Sequence, residues 1–472
     1  MQRELRHGLP DAVAPYPSRV YRTDRHRHYA RAQSPGRAGP AQAGEATVSA
    51  HSNSTLKLLA KRTSVGTIAF CGTRGLPANY GGFETAVDEI SRRFVDAGYR
   101  CDVFCRTANL DNTSRTRHRG RYLIHVRGSR RRSMDTFVSS IQTGMYLLRH
   151  RRKYHHAFWF NNANLPGILL TRLARIPMTV NTDGLEWRRA KWSWPFKLYY
   201  ILSSLLVSIV CRSLVSDSLA LQRYYKRRFL RKSNFVPYGA PGNPDTPLDR
   251  QRRILQSLKL EPGRYFLQIT RIEPDNLPLE VAVGFADSRL GRDGYSMVTV
   301  GYKDDTPYSR QLLAFNGRYG IHVLNAIYDP DILYALRANC YCYLHGNSVG
   351  GTNPALLEAM AFCPRVLALD CEFSREVLGE TGTYFDRENI ADAFKQIPAA
   401  VSTEAMLNRV RSLYRWDAVA ESYMQLCHDE EAVYNPTKYV SDSEVATRHE
   451  SKRPAATEKS DERIRIPEPT GA

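Results

Sequence analysis

The chain has 472 residues, 42% of them apolar, and a formal net charge of +20. That length gives room for two or three domains with large buried cores. Its nine cysteines include no Cys-x-x-Cys pair and no accompanying histidine pair, which excludes an ordinary zinc site.

Residues 1–64 are basic and Pro/Gly-containing, and residues 431–472 are mixed-charge and Pro-, Ser- and Glu-rich, so both ends are expected to be disordered. No apolar core occurs in the first 50 residues, so no secretory leader is expected. Phe196–Val215 approaches the length of a membrane span, but Lys197, Arg212 and four serines make a buried or surface helix the expected state.

From residue 65 the chain reads as α/β. Thr67–Cys71 is an apolar strand, followed at once by the glycine loop Gly72-Thr73-Arg74-Gly75 to Tyr80-Gly81-Gly82-Phe83-Glu84. Helical spacing follows over Thr85–Ala97, then a strand at Arg100–Phe104, which makes one βαβ unit. The loop's glycines and the helix start leave backbone N–H groups open to a phosphate or sugar hydroxyl, or simply make a packing turn. Further strands are predicted at Tyr122–Val126, Ala157–Phe160, Met178–Asn181, Ser213–Ser216 and Phe235–Pro237, with a helix at Ser139–Leu148. Asp183 and Glu186 follow the Met178–Asn181 strand, where open sheets bind ligands. Each can accept a proton or hydrogen bond from a sugar hydroxyl; alternatively Asp183 is a helix cap and Glu186 pairs with Arg188 or Arg189.

After the Pro/Gly-rich linker at Gly239–Asp249 the pattern restarts, with strands at Arg264–Thr270, Met297–Gly301, His322–Leu324, Tyr341–Leu344 and Arg365–Ala368. Helices are predicted at Pro330–Ala338, Pro354–Ala361 and 411–428. Arg271 follows the first of these strands; its guanidinium suits a diphosphate, or pairs with Glu273 or Asp275. The run from His345 through Gly350, Gly351, Thr352 and Asn353 to Leu357 and Glu358 is strand, glycine loop and helix. Its helix N-terminus suits phosphate, and one carboxylate there can accept both hydroxyls of a ribose. The plain alternative is a loop whose helix merely packs.

The segment Leu356-Leu357-Glu358-Ala359-Met360-Ala361 resembles the nucleotide-sugar signature of glycosyltransferase family 4. The strings GTRGLPANYGGFET and NTDGLEWRRAKW resemble a subgroup of bacterial polysaccharide rhamnosyltransferases, and the likeness covers about residues 66–428. It implies a GT-B fold: two Rossmann-like domains facing across a cleft, at 65–240 and 241–410, with a helix at 411–430 that can cross back. It also implies transfer from a sugar nucleotide with retention, and no cofactor or bound metal. Glu358 would hold the donor ribose, and Gly350, Gly351, Thr352 and Asn353 the sugar and phosphate, with His345 and Leu357 beside them. Arg271 and Asn276 would meet the diphosphate. Gly72, Arg74, Gly75, Tyr80, Gly81, Gly82, Glu84 and Glu186 would form the acceptor or phosphate side, and Asp183 would stand beside the reacting sugar. Two departures from the wider family are Gly350 in place of a Glu and Asn276 in place of a Lys. The loss of that Glu suits a donor with fewer hydroxyls, such as a 6-deoxy sugar.

The expected activity is transfer of a hexose, foremost L-rhamnose from dTDP-rhamnose, to a lipid-linked polysaccharide acceptor, with UDP-glucose or UDP-galactose as alternative donors. Basic runs at Arg115–Lys153 and Arg223–Lys232 suit an anionic membrane, which places the protein in the cytoplasm against the inner face of the plasma membrane. A nucleic-acid-binding protein is the reading from another class. The basic runs lack interleaved aromatics and no nucleic-acid module is recognisable, so nucleic acid is not the expected partner. An epimerase or an inactive scaffold would keep the fold and change the chemistry.

Overall fold

The structure, a computed structural model, describes residues 66–439 except 79–80, 108–112, 183, 190–191, 243, 302–304, 398–402 and 429–430. Tyr80 and Asp183, the basic head and the chain beyond residue 439 lie outside the described residues.

β1 (Thr67–Cys71) is buried at every position. A strand covered on both faces needs apolar residues throughout, which is why it reads as an unbroken run. α1 (Gly82–Asp96) turns Ala86, Val87, Ile90 and Phe94 inward, and the Phe94 ring stands edge-on to Phe70 at 5.5 Å between centroids. β2 (Arg100–Thr107) returns parallel to β1, with Thr67 opposite Arg100. β3 (Ser114–His118) and β4 (Arg121–Arg127) pair antiparallel. No expectation covered β3, whose Ser-Arg-Thr-Arg-His sequence has no apolar alternation. It is an edge strand, where charge blocks further pairing, and Arg115 lies 3.5 Å over the Tyr122 ring.

α2 (Arg132–Arg149), β5 (Tyr154–Phe160), α3 (Leu165–Leu173), β6 (Met178–Asn181), α4 (Trp194–Val210), β7 (Ser213–Ser216), α5 (Leu219–Arg228) and β8 (Asn234–Phe235) complete the first half. The sheet order is β3-β4-β2-β1-β5-β6-β7-β8, parallel apart from β3. α4 stops before the expected 215 because β7 takes residues 213–216. Among the described residues no helix is long and apolar enough to cross a membrane.

The second half contains α6 (Leu248–Ser257), β9 (Tyr265–Ile269), α7 (Pro278–Ser288), β10 (Ser296–Gly301), α8 (Pro307–Leu313) and β11 (Ile321–Asn325). It continues with α9 (Pro330–Ala338), β12 (Cys342–His345), α10 (Pro354–Phe362), β13 (Val366–Leu369), α11 (Glu372–Leu378), β14 (Thr383–Phe385) and α12 (Ile390–Lys395). Its strands, all parallel, run in the order β11-β10-β9-β12-β13-β14.

The single helix expected at 411–428 is two: α13 (Thr403–Leu413), packed on α10, and α14 (Trp416–Gln425), packed on α1. The break falls where the Ala240 N–H donates to the Tyr414 carbonyl at 2.8 Å and Gly239 backs onto Trp416. The chain therefore passes between the halves twice, side by side. Arg93 bound to Asp417 at 2.6 Å, and the Asn181 amide donating to the Tyr423 hydroxyl at 3.0 Å, fasten α14 to the first half. Disorder was expected from residue 431, but Tyr434 donates to the Leu413 carbonyl at 2.6 Å and meets the Phe235 ring edge-on. Its ring gains a half-buried partner, which ties this part of the tail to the body. One apolar cluster spans both halves, joining Phe70 and Phe158 to Leu267, Leu357, Trp416 and Tyr423.

Candidate functional site

In each sheet the strand order reverses beside the first strand: β1 lies between β2 and β5, and β9 between β10 and β12. Ligands bind outside the C-terminal ends of strands at such switch points. The glycine loop leaves β1 there, Arg271 follows β9, and the loop Gly346–Asn353 leaves β12.

These loops meet. A Cβ on Gly82, the first residue of α1, would lie 2.8 Å from the Pro354 ring at the start of α10. Two helix N-termini from opposite halves thus converge, each a positive dipole end, although in α10 Pro354 has no N–H and the Ala355 and Leu356 N–H groups donate to Asn353. A Cβ on Gly184 would come within 3.1 Å of the Gly350 backbone, and one on Gly351 within 1.7 Å of Asp217 Oδ1. Only hydrogen fits between the Gly351 backbone and that carboxylate. Thr352 Oγ1 donates to the Asp217 carbonyl, and Arg189 Nη2 donates to the Val349 carbonyl at 3.4 Å. The Glu376 carboxylate on α11 accepts the Leu219 and Ala220 N–H groups at 2.7 and 3.1 Å, capping α5 from the other half.

The remaining predicted residues divide by what they touch. Gly72 and Gly75 hold positive φ angles of 93° and 105° that start and shape the first loop. Glu84 is buried and accepts the Arg74 N–H at 2.9 Å, closing that loop onto α1, while Gly81 occupies the N-cap position in extended backbone. Asn353 caps α10, its side chain accepting the Ala355 N–H at 3.0 Å. Glu358 sits on α10 with its side chain 32% exposed and paired to Arg337 of α9, which is only 5% exposed. Arg271 is 46% exposed and 4.0 Å from Glu273. His345, at the end of β12, is enclosed, and burial pulls its pKa down to about 4.

Three of the expected donor or acceptor residues are otherwise engaged. Leu357 is fully buried in the shared core, because the α10 face that packs on α13 needs an apolar side chain there. Asn276 is buried and donates its amide to the Arg271 carbonyl at 2.9 Å, so it shapes the arginine's loop. Glu186 binds Arg189 Nε at 2.6 Å and accepts from Trp192 Nε1 at 2.8 Å, so its carboxylate holds the strap that reaches Val349.

Asp217, Arg337 and Glu376 were not predicted, and Arg189 was expected only as a partner of Glu186, the pair the structure shows. Asp217 carried a signal, an acid immediately after the predicted strand Ser213–Ser216. Arg337, Glu376 and the reach of Arg189 to Val349 act across distances in sequence that no local spacing reveals. Beside the contact zone opens a cavity of about 470 Å³, lined by Arg188, Arg223, Arg227 and Arg228 from the first half and by Ser348 and Cys371 from the second. Arg223 is tied to Glu372 at 2.5 Å.

Two parallel sheets with opposed switch points, joined by a double crossing and a returning C-terminal helix, define the GT-B fold. Solved structures agree. A sucrose-phosphate synthase from Thermosynechococcus elongatus is 15% identical, with a TM-score of 0.60, covering 76% of this chain and 98% of that one. A glycosyltransferase from Rickettsia africae ESF-5 is 13% identical, with a TM-score of 0.58 and coverage of 78% and 99%. A UDP-forming α,α-trehalose-phosphate synthase from Burkholderia vietnamiensis is 14% identical, with a TM-score of 0.58 and coverage of 77% and 96%. Residues 65–241 match the family described as a domain of unknown function, DUF1972. No curated protein matches the chain.

Proposed function

We propose that the protein is a sugar-nucleotide-dependent glycosyltransferase that transfers a hexose. The observation that carries this reading is the convergence of the α1 and α10 N-termini, Gly82 against Pro354, with Glu358 one turn inside α10 and Arg271 entering from β9. A nucleoside diphosphate fits that arrangement. Its pentose hydroxyls, the 3′-hydroxyl alone in a dTDP donor, bind the Glu358 carboxylate, and its phosphates bind the N–H groups that open α1 and the Arg271 guanidinium. The diphosphate charge is met by these groups, without a metal in the scheme. The acceptor hydroxyl attacks on the face from which the diphosphate leaves. The departing diphosphate takes the proton, and the configuration of the anomeric carbon is retained. Arg271 stabilises the charge that grows on the leaving group.

For the finer assignment we put forward L-rhamnose from dTDP-rhamnose, passed to a growing lipid-linked bacterial polysaccharide by an enzyme on the cytoplasmic side of the plasma membrane. Gly350, in place of a carboxylate, leaves the sugar subsite without a partner for additional hydroxyls. The arginine-lined cavity supports an anionic acceptor such as a lipid diphosphate. A UDP-hexose donor is the second reading, favoured by solved relatives of this fold that are described as UDP-forming. A thermal-shift screen across nucleotide sugars, followed by assay of nucleoside diphosphate release, tests both. Release only when acceptor is present supports a transferase. Turnover of UDP-glucose with dTDP-rhamnose ignored would end the rhamnose assignment, and no response to any nucleotide sugar would end the whole reading.

A further inference from the structure

α4 is built inside out. Its inward face is Tyr200, Ser203, Ser204, Val207 and Ser208. Its outward face exposes Trp194, Leu198, Ile201, Leu202, Leu205, Leu206 and Ile209, with Trp194 74% and Ile209 69% exposed. A surface helix of a water-soluble protein normally shows the reverse arrangement. Two of the three serines are accommodated inside: Ser208 Oγ donates to the Ser204 carbonyl at 2.7 Å, and Ser204 Oγ donates to the Tyr200 carbonyl and accepts from Asn162. α3, packed beside α4, likewise leaves Leu169 and Leu173 exposed. A continuous apolar ridge of this size marks an interaction surface.

The surroundings are cationic. No Asp or Glu occurs from Trp187 to Ser216 or from Ser218 to Pro244. Arg172 and Arg175 stand at the end of α3, Lys197 and Arg212 flank α4, and Lys226, Arg227 and Arg228 end α5. A second copy of the chain docking isologously would set like charges against like. An anionic bilayer satisfies both features, apolar side chains entering the acyl boundary and cations meeting headgroups. α4 has 17 residues, so it is about 26 Å long. It is anchored to the body along one face and therefore lies in the membrane plane. Trp194, at its start, is the residue type favoured at the headgroup level.

We infer that the outward face of α4 embeds in an anionic lipid surface, with the basic ends of α3 and α5 as its electrostatic rim. This deepens the lipid-linked-acceptor reading and rests on it for the purpose of docking, since Arg227 and Arg228 belong both to the rim and to the cavity.

The test is flotation of the full chain with vesicles of phosphatidylcholine plus phosphatidylglycerol, and with phosphatidylcholine alone. The wild type is expected to float with the anionic vesicles. Leu202→Gln/Leu206→Gln should partition at least about tenfold more weakly at low salt, and Arg172→Gln/Arg175→Gln should lose binding at a lower salt concentration than the wild type. Melting temperature and its shift by nucleotide are followed in the same preparations as the fold control. A wild type that stays with neither vesicle overturns the inference. So does a leucine variant that floats like the wild type, or one that only converts a dimer to a monomer. Nucleotide response without flotation sinks this inference alone, whereas flotation without nucleotide response sinks the transferase reading alone.

Discussion

Replacing Glu358 by Gln separates two duties of one carboxylate. The first is to neutralise Arg337, whose side chain is 5% exposed while that of Glu358 is 32% exposed. Breaking a fully buried ion pair costs about 3–5 kcal/mol, and an exposed pair is worth about 0–1. With one partner a third exposed, the expected loss of stability is about 1–2 kcal/mol. The second duty is to accept the hydroxyls of the donor's pentose, the 3′-hydroxyl alone in dTDP, where each hydrogen bond to a charged group is worth about 1.5–3 kcal/mol. Calorimetric titration with a nucleoside diphosphate and its 3′-deoxy counterpart reads the second duty directly, for dTDP and UDP alike. Wild-type protein should prefer the form that keeps its 3′-hydroxyl by about tenfold or more, and Glu358→Gln should compress that preference, weakening the 3′-hydroxyl ligand most. If the variant melts earlier yet binds both ligands as the wild type does, Glu358 serves Arg337 alone and the donor site lies elsewhere.

Arg271→Ala should lower turnover by about 10²–10³-fold, the loss seen when a donor to a developing oxyanion is removed. Its ion pair among the described residues is a half-exposed one with Glu273 at 4.0 Å, so melting should barely change; unaltered turnover would refute the role. Gly351→Ala drives a methyl into Asp217 and should reduce nucleotide affinity and stability together, by about 1–3 kcal/mol in stability; a variant as stable as the wild type would show that the two loops do not close this way. His345 has a folded pKa of about 4, below the ordinary 6.5, because burial disfavours its charged form. The unfolded chain therefore binds the proton first, and stability should fall as pH drops from about 6.5 to about 4, by roughly 3 kcal/mol from this group. Denaturant titrations of wild type and His345→Asn should differ in slope within that window and nowhere else.

Local sequence determined much of this protein. Strands buried on both faces favour apolar residues, so β1 and β13 stand out as short continuous runs, and the helix beginning at Pro354 announces itself by proline at its start and asparagine at its cap. The glycine positions were legible because tight turns and close approaches admit little else. Tertiary structure alone decided what those glycines approach: Gly82 meets Pro354 and Gly351 meets Asp217 only once the two halves face each other. It also set the charge partners, since Arg337 and Glu358 lie 21 residues apart on different helices. β3, and the outward turn of the apolar face of the expected helix α4, escaped the pattern for one reason: periodicity reports burial against this chain's own core. A charged edge strand and a helix with its apolar face turned outward answer to what lies beyond that core.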